Sequence, residues 1–182
     1  MSGQERYASF GQRTPSRRSW KWTIPGLVVV ALFAALANPP DKGVTSPADF
    51  EYVQRVVDGD TLMLGTGERV RLIGVDTPET KRPNTPVEYF GKEASAFTKR
   101  LAEGKRIRLE YDQANAHLGH KDRYGRTLAY VFLDDATLLN AEIIRQGYGH
   151  ALVRYPFSRM EEFRRLEREA QEQGRGLWAP RS

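Results

Sequence analysis

The stretch VVDGDTLMLGTGERVRLIGVDTPET, residues 56–80, decides how the chain is read. Two apolar, β-branched runs, Thr61–Leu64 and Arg69–Val75, flank Gly65-Thr66-Gly67. Such runs with a glycine-bearing turn between them predict an antiparallel hairpin. Acids crowd its open end: Asp58 and Asp60 before the first run, Asp76 and Glu79 after the second. Pairing around residues 65–67 carries Asp60 and Asp76 toward the same end of the sheet. Two carboxylates a few ångströms apart do not both stay ionised without a counter-charge. A hard divalent cation supplies one and selects oxygen ligands, and the backbone carbonyl of Thr77 could complete the set. Arg71, on the intervening strand, adds a second positive group.

Each piece alone has a plainer reading. Asp58-Gly59 is a common turn pair, and Thr77-Pro78 can simply close a strand. An EF-hand is excluded, because Leu62 stands where the third oxygen ligand belongs and the loop glycine is missing. What points to a site is the combination: matched acids, Arg71 between them, and a further arginine, Arg126, closing Asp122-Arg-Tyr-Gly-Arg.

Around the hairpin the pattern predicts a small α+β, mainly β, domain. Phe50–Val57 reads as a strand preceding it. A polar, proline-bearing loop, Thr77 to Pro86, comes after it. Phe90, Ala94, Phe97 and Leu101 recur at helical spacing and Gly104 stops them. Lys105–Tyr111 alternates as a strand with a basic face, which could track a polynucleotide backbone. A loop over Asp112–Arg126 leads into a strand, Thr127–Phe132. Asn140–Gln146 is a short helix ending at Gly147, and Met160, Phe163, Leu166 and Ala170 mark a last amphipathic one. Five short strands with a helix after the third match the order of an OB-like barrel. Early antiparallel hairpins argue against a doubly wound parallel sheet.

The N-terminal part differs. Residues 1–22 are polar and basic, a tail expected on the cytoplasmic side. Residues 24–37, IPGLVVVALFAALA, carry no charge over 14 positions. A spanning helix needs about 20 apolar residues, so this run suits a signal-peptide core. Ala35-Leu36-Ala37 fits a small-x-small cleavage site, and Ser16-Arg17-Arg18 hints at twin-arginine export. Trp20, Trp22 and Thr23 could instead extend the run into an uncleaved interfacial anchor. As signal core or membrane anchor, residues 23–37 are expected to form a short hydrophobic helix that exports the remainder of the chain. A buried core helix is the blander alternative, opposed by Pro25-Gly26 and the polar flanks. Residues 38–48 read as a linker and 49–182 as the folded domain.

Composition limits the rest. The 182 residues include no cysteine, which removes disulfides, thiolate metal sites and thiol nucleophiles. The formal net charge is +5. Of 28 Lys and Arg, six fall in residues 1–45, against two of the 23 acids. That leaves 22 basic and 21 acidic residues in 46–182, so bulk charge does not identify a polyanion binder.

VVDGDTLMLGTGERVRLIGVDTPET, followed by KDRYGRTLAYVF and LLNAEIIRQGYG, resembles the staphylococcal nuclease (thermonuclease) family over roughly residues 50–180. The resemblance implies an OB-type five-stranded barrel with three helices, and a Ca²⁺-dependent phosphodiesterase cleaving DNA and RNA. It places Asp60, Asp76 and the Thr77 carbonyl on the metal, with Asp58 behind them. It makes Glu79 the general base, Arg71 and Arg126 the phosphate ligands, and Tyr124 a neighbour of the nucleotide. Relatives carry two tyrosines that pack on the base. Here the corresponding positions are Val153 and Tyr155, so one aromatic platform is missing. His117, His120 and His150 match no family role, and a solvated polar loop accounts for the first two. A monomer is expected. A non-catalytic OB module that binds nucleic acid or protein is the alternative, opposed by the presence of every charged residue just named.

Overall fold

The computed structural model describes residues 50–80 and 86–180. The hydrophobic segment and linker assigned to residues 23–48 lie outside these. Among the described residues no helix is long and apolar enough to cross a membrane.

The described residues form seven strands: β1 Phe50–Asp58, β2 Thr61–Leu64, β3 Arg69–Leu72, β4 Val75–Asp76, β5 Arg106–Glu110, β6 Thr127–Leu133 and β7 His150–Ala151. Three α-helices accompany them: α1 Gly91–Ala102, α2 Leu139–Arg145 and α3 Met160–Glu172. Five of the strands close a barrel in the order β1-β2-β3-β6-β5, with β4 and β7 a separate pair. Within the barrel β3 and β6 run parallel; the other contacts are antiparallel. This is the barrel that the strand count and order predicted.

Closure depends on β1. Its first residues pair with β5 and its remainder with β2. Register shifts between Val53 and Arg55 and between Val56 and Asp58 coil the strand so that it serves both neighbours. Val53, Leu62, Val70, Ile107, Ala129 and Val131 are fully buried. Burying one Val or Leu side chain stabilises by about 1.5–3 kcal/mol. Phe163, Leu166 and Ala170 form the buried stripe of α3, and Ala94 and Phe97 that of α1.

The expected strand Arg69–Val75 is broken. Gly74 turns at φ +71°, and a Cβ there would stand 2.6 Å from the Phe157 ring. Positive φ and the lack of space both require glycine. Asn140, fully buried, holds the break. Its Nδ2 donates to the Ile73 carbonyl at 2.9 Å and to Ala129 at 3.3 Å, while its Oδ1 accepts from the Val131 N–H at 2.9 Å. The chain past Gly74 is thus redirected toward β7, where Asp76 pairs with His150. The expected loop over residues 112–126 also contains a 3₁₀ turn, Gln113–Leu118, opened by the Asp112 carboxylate accepting from Ala114 N–H. A second such turn spans Gly176–Trp178.

Candidate active site

Arg71 is the meeting point of the acids. Its Nη2 lies 3.1 Å from Asp60 Oδ2 and 3.3 Å from Asp76 Oδ1. Its Nη1 donates to the carbonyls of Val75 at 2.6 Å and Leu72 at 3.2 Å. The Asp60 carboxylate is buried and further held by Thr77 N–H at 3.2 Å and the Thr61 hydroxyl at 2.9 Å. The Asp-Gly-Asp turn approaches Thr77 closely: a Cβ on Gly59 would lie 2.6 Å from Thr77 Oγ1. Thr77 Oγ1 itself is buried with no hydrogen-bond partner among the described residues.

Asp60 and Asp76 therefore do converge, but not by the route expected. The β2–β3 ladder ends with Thr61 opposite Arg71, and Leu72 N–H reaching the Asp60 carbonyl at 3.0 Å. Asp76 arrives through the Gly74 turn. Burial raises the Asp76 carboxyl above its ordinary range; Arg71 opposes this, and Asp60 adds to it. Asp58 is pushed up to about 6, first by burial and then by its hydrogen bond with Glu79, with Gly59 N–H and Thr80 pulling the other way. Glu79 is thereby placed beside Asp58, and its Oε1 accepts from Thr80 N–H at 3.0 Å. Its backbone N–H is held by Glu88 at 3.0 Å.

The second guanidinium comes from the Asp122–Arg126 turn. Asp122 Oδ1 accepts from the N–H groups of Tyr124 at 2.9 Å and Arg126 at 3.0 Å, an Asx-type closure, with Gly125 at φ +72°. Asp122 Oδ2 takes Arg126 Nε at 2.7 Å. Arg126 Nη1 then reaches Thr61 Oγ1 at 3.3 Å, which joins it to Asp60. The Tyr124 ring lies beside Arg126, 5.4 Å from its Cζ, and is exposed.

Both arginines line one cleft of about 390 Å³. Its floor includes Leu72, Gly74 and Leu128; Tyr124 and Tyr155 stand on its rim with Asn115 and Leu118. Tyr155 is exposed, with Arg154 5.7 Å from its centroid. Val153 packs against the hydrophobic core, so that position contributes apolar filling and no ring.

His117 is exposed, while His120 lies against Tyr111 at 5.0 Å between ring centroids. His150, for which the sequence showed no partner, meets Glu167 at 3.3 Å and the edge of Trp178. The basic face of β5 has neighbours within the protein. Arg106 faces Asp134 and the Phe50 ring; Arg108 faces Glu110 and Phe132. Exposed pairs of this kind contribute little stability.

The staphylococcal nuclease homologue family matches residues 69–180. The chain is 45% identical over 161 residues to the thermonuclease of Staphylococcus intermedius, covering 83% of this chain and 90% of that protein. It is 37% identical over 163 residues to the thermonuclease of Staphylococcus hyicus, covering 86% and 93%. The chain belongs to the staphylococcal nuclease family. A further similarity, 36% over 135 residues, is to Endonuclease YncB of Bacillus subtilis (strain 168), covering 70% of this chain and 60% of that one.

Members of this family invite a metal test of the donor set. Among the described residues no group of three or more His, Asp or Glu side chains is gathered to hold an ion. The smaller set does fit a hard cation. Asp60 and Asp76 offer only oxygen, Asp60 raises both Asp58 and Asp76, and the Asp76 side chain is 56% exposed. Sequence reasoning missed Thr61 and Asp122 as parts of the site. The signals were present: Thr61 directly follows Asp60, and Asp122 stands four residues before Arg126.

Proposed function

We propose that this protein is a Ca²⁺-dependent endonuclease that hydrolyses phosphodiester bonds of DNA, with RNA as a second candidate substrate. The observation that carries this reading is the convergence of Arg71 and Arg126 on one cleft, with Arg71 also paired to Asp60 and Asp76. The names of the thermonuclease and endonuclease relatives support it.

Asp60, Asp76 and the Thr77 carbonyl would hold the cation. Bound there, it would supply Lewis-acid polarisation of a phosphoryl oxygen and offset the carboxylates' charge. The residues of the chain do the remainder. Arg126 commits Nε to Asp122 and one Nη1 hydrogen to Thr61, and its other N–H groups have no partner among the described residues. Those N–H groups form the fork that donates to phosphate. Arg71 has both Nη groups engaged, leaving Nε for the same anion. Glu79 accepts the proton of the water whose oxygen bonds to phosphorus, while the opposite P–O ester bond breaks and its leaving oxygen takes a proton from solvent. General-base help is worth about 10²–10⁴-fold, so most of the acceleration falls to electrostatic stabilisation of the transition state. Tyr124 and Tyr155 border the nucleotide.

The test is digestion of plasmid DNA with added calcium and then with chelator. Cleavage that requires calcium supports the reading. Absence of cleavage with any divalent metal overturns it in favour of a non-catalytic binding module. We further propose that residues 23–37 direct export, so that the barrel acts outside the cytoplasm as a monomer. N-terminal sequencing of the exported form distinguishes cleavage after Ala37 from a retained anchor, and a cytoplasmic full-length protein refutes export.

A further inference from the structure

We propose that the Thr61 hydroxyl is a positioning group that sets both the Asp60 carboxylate and the Arg126 guanidinium for the reaction. The inference rests on the nuclease reading above and adds a residue to it. Thr61 opens β2 and is 5% exposed. Its Cα partner across the hairpin is Arg71, and directly opposed residues of an antiparallel pair project to the same face.

The hydrogen-bond sense is fixed by the partners. A guanidinium only donates and a carboxylate only accepts. The hydroxyl must therefore give its proton to Asp60 Oδ1, at 2.9 Å, and accept from Arg126 Nη1, at 3.3 Å. Each bond polarises the other in the same direction. The same atom keeps the positive and negative groups one oxygen apart. Were Arg126 to meet Asp60 directly, as Arg71 does, its fork would be consumed by the carboxylate that a cation needs. Asp122 holds the other side of the guanidinium at Nε. Arg126 is thus fixed at two points, with its remaining N–H groups turned to substrate.

Thr61→Val keeps shape and branching while deleting the hydroxyl; Thr61→Ser keeps the hydroxyl and deletes the methyl. Two constants are measured on each: the Kd for a nucleoside 3′,5′-bisphosphate with calcium, read without turnover, and kcat/KM on a DNA oligonucleotide. A hydrogen bond to a charged group corresponds to about 10–100-fold. Thr61→Val should weaken the bisphosphate by about 10-fold or more and lower kcat/KM by about 10–100-fold, with Thr61→Ser within about 3-fold of the unaltered protein. Unchanged constants in Thr61→Val, or Thr61→Ser as impaired as Thr61→Val, overturn the proposal. The unaltered protein offers an independent check, since a hydroxyl proton held this way exchanges slowly and is visible by NMR. Exchange as fast as that of an exposed threonine also overturns it. Failure of the unaltered protein to cleave or to bind the bisphosphate instead brings down the nuclease reading itself.

Discussion

Replacing the buried Asp112 by alanine should destabilise the domain by several kcal/mol. Asp112 is 4% exposed. Its Oδ2 accepts from Tyr130 Oη at 2.5 Å, Ser158 N–H at 2.7 Å and Ser158 Oγ at 2.8 Å, and its Oδ1 from Ala114 N–H at 2.9 Å. Each such bond to a charged group is worth about 1.5–3 kcal/mol. They do not add fully, because Tyr130 and Ser158 keep each other at 3.1 Å. The expected loss is about 3–4 kcal/mol, or roughly 10–15 °C in Tm for a domain of this size. Burial alone would raise the Asp112 carboxyl, but hydrogen bonds from Tyr130, Ser158 and Ala114 outweigh it and hold it below the usual range. A folded-state depression contributes stability that is whole above the unfolded value, about 4, and is lost as pH falls through the folded one. The unaltered protein should therefore lose stability below about pH 4 more steeply than Asp112→Ala. Urea unfolding monitored by circular dichroism, repeated from about pH 7 down to about pH 2, measures both. A loss under about 1 kcal/mol at neutral pH, or parallel pH curves, refutes the reasoning.

Arg126→Lys should lower kcat by about 10²–10³-fold while Tm moves little, because one ammonium cannot serve Asp122, Thr61 and phosphate together; steady-state kinetics on DNA checks it. Tyr155→Ala removes an exposed ring from the cleft rim, so nucleotide affinity should fall by the equivalent of about 1–3 kcal/mol with the fold intact, as calorimetric titration would show. Asn140→Leu leaves the Ile73 carbonyl and the Val131 N–H without their Asn140 partner, while the Ala129 carbonyl keeps the Ile73 N–H, and should cost about 3 kcal/mol in denaturant unfolding.

Where local pattern dictated structure, the sequence could be read. The β2–β3 hairpin came from alternation around Gly65–Gly67, and α1 and α3 from apolar spacing. What escaped were features made by tertiary partners. Val75 continues the apolar run of β3 and reads as strand, yet Asn140, from a helix 67 positions away from Ile73, decides where the strand ends. His150 found Glu167 and Trp178 only because α3 and the last turn pack over β7. In the candidate site, acids and arginines were legible by type and place. Thr61 and Asp122 were not, since a threonine in a strand and an aspartate in a turn have ordinary local uses, and only the meeting of β2 with the turn before β6 gives them a common one.

The parallel contact between β3 and β6 has a consequence for the nascent chain. Asp60, Arg71, Asp76 and Thr77 belong to one continuous stretch, and their longest link spans 17 positions. Arg126 reaches Thr61 across 65. Contacts of such different reach form at different stages, the short ones first. A half-made molecule thus presents acids without the second guanidinium, and on the proposed function would be inert toward the nucleic acid of the cell that synthesises it until the last seam of the barrel is sewn.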